Sequence, residues 1–157
     1  MSSDVIHGEK EPYWVMGGVI DVKLAAEDTG GAFTLLEIVN PPGGGVPSHV
    51  HELDDETVVL VEGELSALIG EQQATMLPGD VVFISRGTVH SFTNVGSGQA
   101  RVIAITSPGG SESMLRDGAV PKTGAEPPPE AIDPDIAKMM AAAAGAGLTF
   151  LPPEGGG

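Results

Sequence analysis

Apolar and β-branched residues recur along this chain in short runs, separated by glycine, proline and small polar residues. Residues 1–12 are polar and read as a lead-in, and Tyr13 to Lys23 is apolar around Gly17-Gly18. After a turn at Glu27 to Gly31, Ala32 to Asn40 (AFTLLEIVN) has the composition of a strand. Pro41 to Gly45 (PPGGG) breaks it, and a short strand then carries Ser48-His49-Val50-His51. Leu53-Asp54-Asp55 is a turn candidate. Glu56 to Glu62 (ETVVLVE) is apolar on both parities, which predicts a strand covered on both faces. Further runs follow at Glu64 to Ile69, Gln73 to Leu77, Val81 to Ser85, Val89 to Asn94 and Ala100 to Thr106. Strand-length runs at such regular spacing predict an all-β sandwich or barrel.

The pattern changes after Ser107. Ser111 to Arg116 reads as one short helix, and Val120 to Pro129 as a proline-rich linker. Asp133-Pro134 has the form of an N-cap followed by proline at the first helical position. Ile136, Met139, Met140 and Ala143 then recur at helical spacing, with Gly145 as the stop. A helix this short is not stable alone, so it must dock on the barrel or on a partner. The expected organisation is a lead-in at 1–12, a barrel at 13–117, a linker at 118–132 and a C-terminal helix and tail at 133–157.

Composition narrows the function. A chain of 157 residues suggests one domain. The 7 basic and 22 acidic residues leave a net charge of −15, a field that repels nucleic acid and anionic membranes. The absence of cysteine excludes disulfides, zinc-thiolate sites and iron–sulfur clusters. No stretch has the form of a signal peptide or is long enough for a membrane-spanning helix, so the expected location is the cytoplasm.

Three of the four histidines, His49, His51 and His90, fall in the β region; His7 lies in the lead-in. His49 and His51 are two apart, so on a strand both rings point to one face and can reach one ion. Buried without a partner the pair is costly, and metal ligation removes that cost. A carboxylate from the following turn can join them, and spacing alone leaves Glu52, Asp54, Asp55 and Glu56 all open.

Gly43 to Gly63 reads G-x5-H-x-H-x4-E-x6-G, and Gly79 to Asn94 reads G-x5-S-x-G-x2-H-x3-N. The first resembles the first cupin motif at every position. The second resembles the second cupin motif, with Ser85 where the family has proline. The resemblance covers roughly residues 13–107 and implies a double-stranded β-helix, a jelly-roll barrel, with short C-terminal helices appended. It also implies one divalent transition metal per chain, held near one mouth by His49, His51, Glu56 and His90. Three imidazoles and one carboxylate suit Fe, Mn, Ni, Cu, Co or Zn, and offer too few oxygens for Ca²⁺. Phe92 and Asn94 share a face with His90 and, with Arg86 beside that loop, are the candidate substrate-pocket residues.

The cupin resemblance leaves several reactions open. With all four ligands present, the leading expectation is a dioxygenase acting on a small oxygenated aromatic or enol-type compound. Small bacterial quercetin-dioxygenase-like proteins have a similar tail, here Thr106 to Leu115 and Leu148 to Pro152. Glu56 is the candidate catalytic residue, as acceptor of the substrate proton. The alternatives are a non-redox isomerase, cyclase or epimerase using the metal as a Lewis acid, and a binding module without turnover. The expected partners are a small-molecule substrate, O₂ and a second copy of the chain, since family members commonly pair through N-terminal strands.

Overall fold

The computed structural model describes residues 4–124 and 136–151. In chain order the elements are β1 (Pro12–Val15), β2 (Gly18–Leu24), β3 (Thr34–Asn40), β4 (Gly45–His51), β5 (Asp55–Glu62), β6 (Leu65–Ile69), β7 (Gln72–Met76), β8 (Val81–Ile84), β9 (His90–Asn94), β10 (Ala100–Ser107), α1 (Ser113–Gly118), β11 (Val120–Pro121), α2 (Ile136–Gly145) and β12 (Leu148–Phe150). Each strand expected between 32 and 107 is present. The Tyr13–Lys23 run is a hairpin, β1 pairing with β2.

Two antiparallel sheets face each other. One has the order β11-β1-β2-β3-β10-β5-β8, the other β12-β4-β9-β6-β7. This is the all-β architecture that the spacing of runs predicts, and the double-stranded β-helix that the cupin resemblance implies. The core lies between the inner faces: Val58 and Leu60 of β5, Leu65 of β6, Phe92 of β9 and Val102 of β10 are all buried. Leu60 is wholly inaccessible, and burying a side chain of that size stabilises by about 1.5–3 kcal/mol.

Gly63, between β5 and β6, is needed for two reasons. Its φ is +94°, and a Cβ there would lie 2.8 Å from the Cα of Ala100. Only glycine meets both conditions without displacing β10.

Three expectations are refined. β5 is buried on its inner face alone: Thr57 and Val59 are half-buried and Val61 is exposed. Its apolar outward positions reflect β-propensity on a partly covered face rather than a second covering layer. The first C-terminal helix is shifted to Ser113–Gly118. The docking face of α2 runs through Met139, Ala142 and Ala143 and continues to Ala146 in the turn after it, while Met140 is exposed. Small residues suit this face because α2 comes close to Gly118, where a Cβ would lie 2.8 Å from that of Ala142. The Asp133-Pro134 cap and linker residues 125–132 lie outside the described residues.

β12 is too short to read from its sequence. It pairs with β4 in the register Leu148↔His51 and Phe150↔His49. The C-terminal segment therefore completes the edge of the histidine-bearing sheet.

Candidate metal centre

Local backbone chemistry aims the two β4 histidines inward. β4 pairs with β9 through Val46↔Phe92 and then His49↔His90, so it carries one extra residue between the pairs. The bulge falls at Pro47-Ser48, where proline has no N–H for the ladder. The extra residue resets parity, so Val46, His49 and His51 all line one cavity. Pro47 also serves His49 directly, its carbonyl accepting the ring Nδ1–H at 2.8 Å.

After His51 the turn at Leu53-Asp54 carries the chain from the five-stranded sheet to the seven-stranded one. Glu56, second in β5, then looks back at the histidines across the interior. Its Oε2 lies 2.8 Å from His51 Nε2 and 3.8 Å from His90 Nε2. Glu52 and Asp55 are left outside the cluster, and Glu56 is the carboxylate within it.

One ligand atom each from His49, His51, Glu56 and His90 fall within 4.8 Å of one another, and all four residues are buried. Donor atoms about 2.1 Å from a common ion lie about 3 Å apart when adjacent and about 4.2 Å when opposite. The cluster therefore needs only small inward shifts to hold a divalent ion.

Each imidazole is oriented by a partner on Nδ1. His49 donates to the Pro47 carbonyl, His51 to Asp54 Oδ1 at 2.7 Å and His90 to the Thr88 carbonyl at 2.9 Å. These oxygens accept only, so Nδ1 carries the proton and Nε2 is the atom turned to the centre. His90 Nε2 is buried without a hydrogen-bond partner. A buried acceptor in that state is costly, and a bound cation relieves it. This observation and the donor set together fit a divalent metal.

Burial, helped by the neighbouring His90, pushes His49 down to about 4, so it is neutral near pH 7. Burial opposes charge on His51 too, but hydrogen bonds to Asp54 and Glu56 outweigh it and push that ring up to about 9. Glu56 is also desolvated, yet the hydrogen bond to His51 and the charge of that ring hold it well below the usual carboxylate range.

The cluster borders a cavity of about 70 Å³ between the sheets. Leu36, Ile38, Val58 and Phe92 form apolar walls, and Met114 of α1 with Leu148 and Phe150 of β12 close one side. The Phe150 ring stacks on His49, centroids 5.3 Å apart.

Of the pocket residues expected from sequence, Phe92 lines the cavity. Asn94 is buried and donates to the carbonyls of Asn40 and Gly98, bracing the strand ends. Arg86 is outside the cavity lining and pairs with Asp55 at 3.2 Å. Ser85, where the motif has proline, closes its turn through a 3.2 Å contact with the Thr88 hydroxyl. Asp54, which the sequence places in a turn, is buried and orients His51. The readable signal was its position three residues after a histidine. Phe150, Thr106 and Ser111 also line the cavity without having been expected there.

The cupin domain model matches residues 36–106. Over 92 residues the chain is 28% identical to quercetin 2,3-dioxygenase of Bacillus subtilis, covering 59% of this chain and 27% of that protein. Over 67 residues it is 31% identical to the tetracenomycin polyketide synthase protein TcmJ of Streptomyces glaucescens, covering 43% of this chain and 45% of that one. The chain thus spans less than half the length of these curated relatives. Among solved structures, a predicted oxalate decarboxylase of Thermotoga maritima superposes with a TM-score of 0.58 at 25% identity, covering 62% of this chain and 91% of that one. KdgF of Halomonas sp. superposes at 0.56 with 18% identity, covering 61% and 83%. Fold, motifs and matches agree on a cupin domain at residues 36–106.

Proposed function

We propose that this cupin is a metal-dependent dioxygenase acting on a small oxygenated aromatic or enol-type compound, with one divalent transition metal per chain at His49, His51, Glu56 and His90. The observation that carries the reading is the buried convergence of four donor atoms, the unpartnered His90 Nε2 among them, beside an apolar cavity. The similarity to a quercetin 2,3-dioxygenase supports oxygen chemistry. When bound, the metal would polarise a substrate oxygen and, if redox-active, engage O₂. The chain's own residues do the rest. The apolar walls exclude water and favour a compact substrate on an apolar frame. Glu56 is the only carboxylate of the cluster and borders the cavity, so it is the base that takes the substrate's hydroxyl proton. His51, tied to Asp54 on one side and Glu56 on the other, keeps that carboxylate aimed.

Oxygen uptake by metal-loaded protein, screened over flavonols, catechols and 1,3-diketones, tests the assignment. Uptake that disappears in Glu56→Gln with metal retained is the expected result. Conversion of a compound without oxygen uptake would move the protein to the isomerase, cyclase and epimerase class. We also infer a cytoplasmic homodimer. The pairing is supported by Val81 and Phe83 on edge strand β8, which are 60% and 63% exposed; a monomer by light scattering would contradict it.

A further inference from the structure

The inner face of the seven-stranded sheet carries a short row of polar side chains. Glu56 on β5 pairs with Thr106 on β10, and Thr106 pairs in turn with Thr34 on β3. Directly opposed residues in an antiparallel ladder share a face, with Cα atoms about 4.5–5.5 Å apart. Thr106 therefore stands beside the cluster carboxylate and faces the same interior. It is 1% exposed, and its hydroxyl lies 2.7 Å from that of Ser111, which is also buried. Both residues line the cavity.

Ser111 is not on a strand, so its placement needs an explanation, and Glu112 supplies it. The buried Glu112 carboxylate accepts the Ala26 N–H at 2.9 Å and the Thr34 hydroxyl at 2.6 Å. On the other side of Ser111, the Gly110 N–H donates to Thr34 Oγ1 at 3.0 Å. The loop is thus tied to the sheet on both sides of Ser111. This is how a polar group is preorganised rather than left to find its own rotamer.

Two hydroxyls carry two O–H donors, and their mutual hydrogen bond uses one. Among the described residues neither oxygen has another partner. One donor is left over, beside the metal cluster, in a cavity whose other walls are mostly apolar. A buried unused donor gains most from an acceptor that arrives with the substrate.

We propose that the Thr106–Ser111 hydroxyl pair is a second anchoring point for the substrate. The ligand class is a compact molecule with two oxygens held several ångströms apart on an apolar frame, such as the enolate of a cyclic 1,3-diketone. One oxygen faces the metal cluster and the other accepts the spare hydroxyl proton. This rests on the metal-centre reading of the preceding subsection, and it selects among the enol-type compounds named there.

The test uses full-length protein loaded with Co(II), whose visible bands report both occupancy and ligand binding. The probes are cyclohexane-1,3-dione, whose rigid, divergent oxygens cannot both reach one ion, and phenol, which offers a single oxygen. Wild type binds the dione more tightly than phenol. The double variant Thr106→Val/Ser111→Ala, which removes both donors, weakens dione binding about tenfold or more, as expected for a lost hydrogen bond to a charged oxygen, and each single variant, which keeps one hydroxyl, loses less. In the same variants phenol affinity and cobalt stoichiometry stay within about twofold. Thr106→Ser, which keeps the hydroxyl, retains wild-type dione binding. Equal affinity of wild type for the two probes, or a double variant that binds the dione normally with cobalt in place, would overturn the hydroxyl anchor alone. Failure of wild type to hold cobalt would overturn the metal centre and this proposal with it.

Discussion

Asp54→Asn separates the two opposing effects of the carboxylate behind His51. Asp54 is 4% exposed and accepts the His51 Nδ1–H at 2.7 Å. Asparagine can still accept that proton through its amide oxygen, so ring orientation survives while the charge is lost. A carboxylate behind a metal-binding imidazole raises its basicity as a ligand, and removing such a partner typically costs about 10–100-fold in metal affinity, or about 1.4–2.7 kcal/mol. The same carboxylate helps hold a proton on His51 up to about pH 9. A raised pKa means that the proton is bound below that value, so at pH 7 a metal must displace it, against about 2.7 kcal/mol for roughly two pKa units. The variant holds this proton less firmly and recovers part of that cost. Its deficit in metal affinity should therefore be small near pH 7 and reach the full 10–100-fold near about pH 9.5, where proton competition ends. Competition titrations of Ni(II) against a chromophoric chelator at both pH values measure this. Unchanged affinity at the higher pH, or the same deficit at both, would refute the assigned role of Asp54.

Three further outcomes follow from the packing and charges. Phe150→Ala removes the ring stacked on His49, so unfolding free energy should fall by about 1 kcal/mol and metal loss to a chelator should quicken; wild-type chelation kinetics would count against a wall role for Phe150. Gly118→Val places a side chain where even a Cβ meets Ala142 at 2.8 Å. That should undock α2 at a cost of about 1–3 kcal/mol, and limited proteolysis should then cleave the C-terminal segment first. Arg116 hydrogen-bonds Glu11 and Glu27 and holds both below the usual carboxylate range. Depressed pKa values give stability that is present above the unfolded value and lost as pH falls through the folded one, so Arg116→Ala should lose less stability between pH 7 and pH 3 than wild type; equal acid losses by urea titration would remove the network from the account.

Much of the barrel was legible because its strands are short, β-branched and punctuated by glycine and proline. The four donor residues were legible because His49, His51, Glu56 and His90 sit in two motifs whose order survives in one chain. What spacing could not show was how they converge. The i, i+2 argument gives a shared face to His49 and His51 but not which face; the bulge at Pro47 decides that. The choice of Glu56 among four acidic residues depends on a turn that changes sheets, a tertiary event with no local signature. The role of Asp54 is not legible, because a single acidic turn residue looks the same whether it meets water or an imidazole. β12 was missed because three residues carry no readable period, and its pairing partner lies about a hundred positions away. The alanine face of α2 was misjudged because size matching against Gly118, rather than hydrophobicity, selects the contact.

The central claim is that His49, His51, Glu56 and His90 form one metal centre. Elemental mass spectrometry of purified and metal-reconstituted protein tests it most directly, with His49→Ala, His90→Ala and the exposed control Met140→Ala measured alongside. The account predicts about one equivalent of a divalent first-row transition metal in wild type and Met140→Ala, and a large loss in both histidine variants. No metal in reconstituted wild type, or full occupancy in His90→Ala, would contradict it.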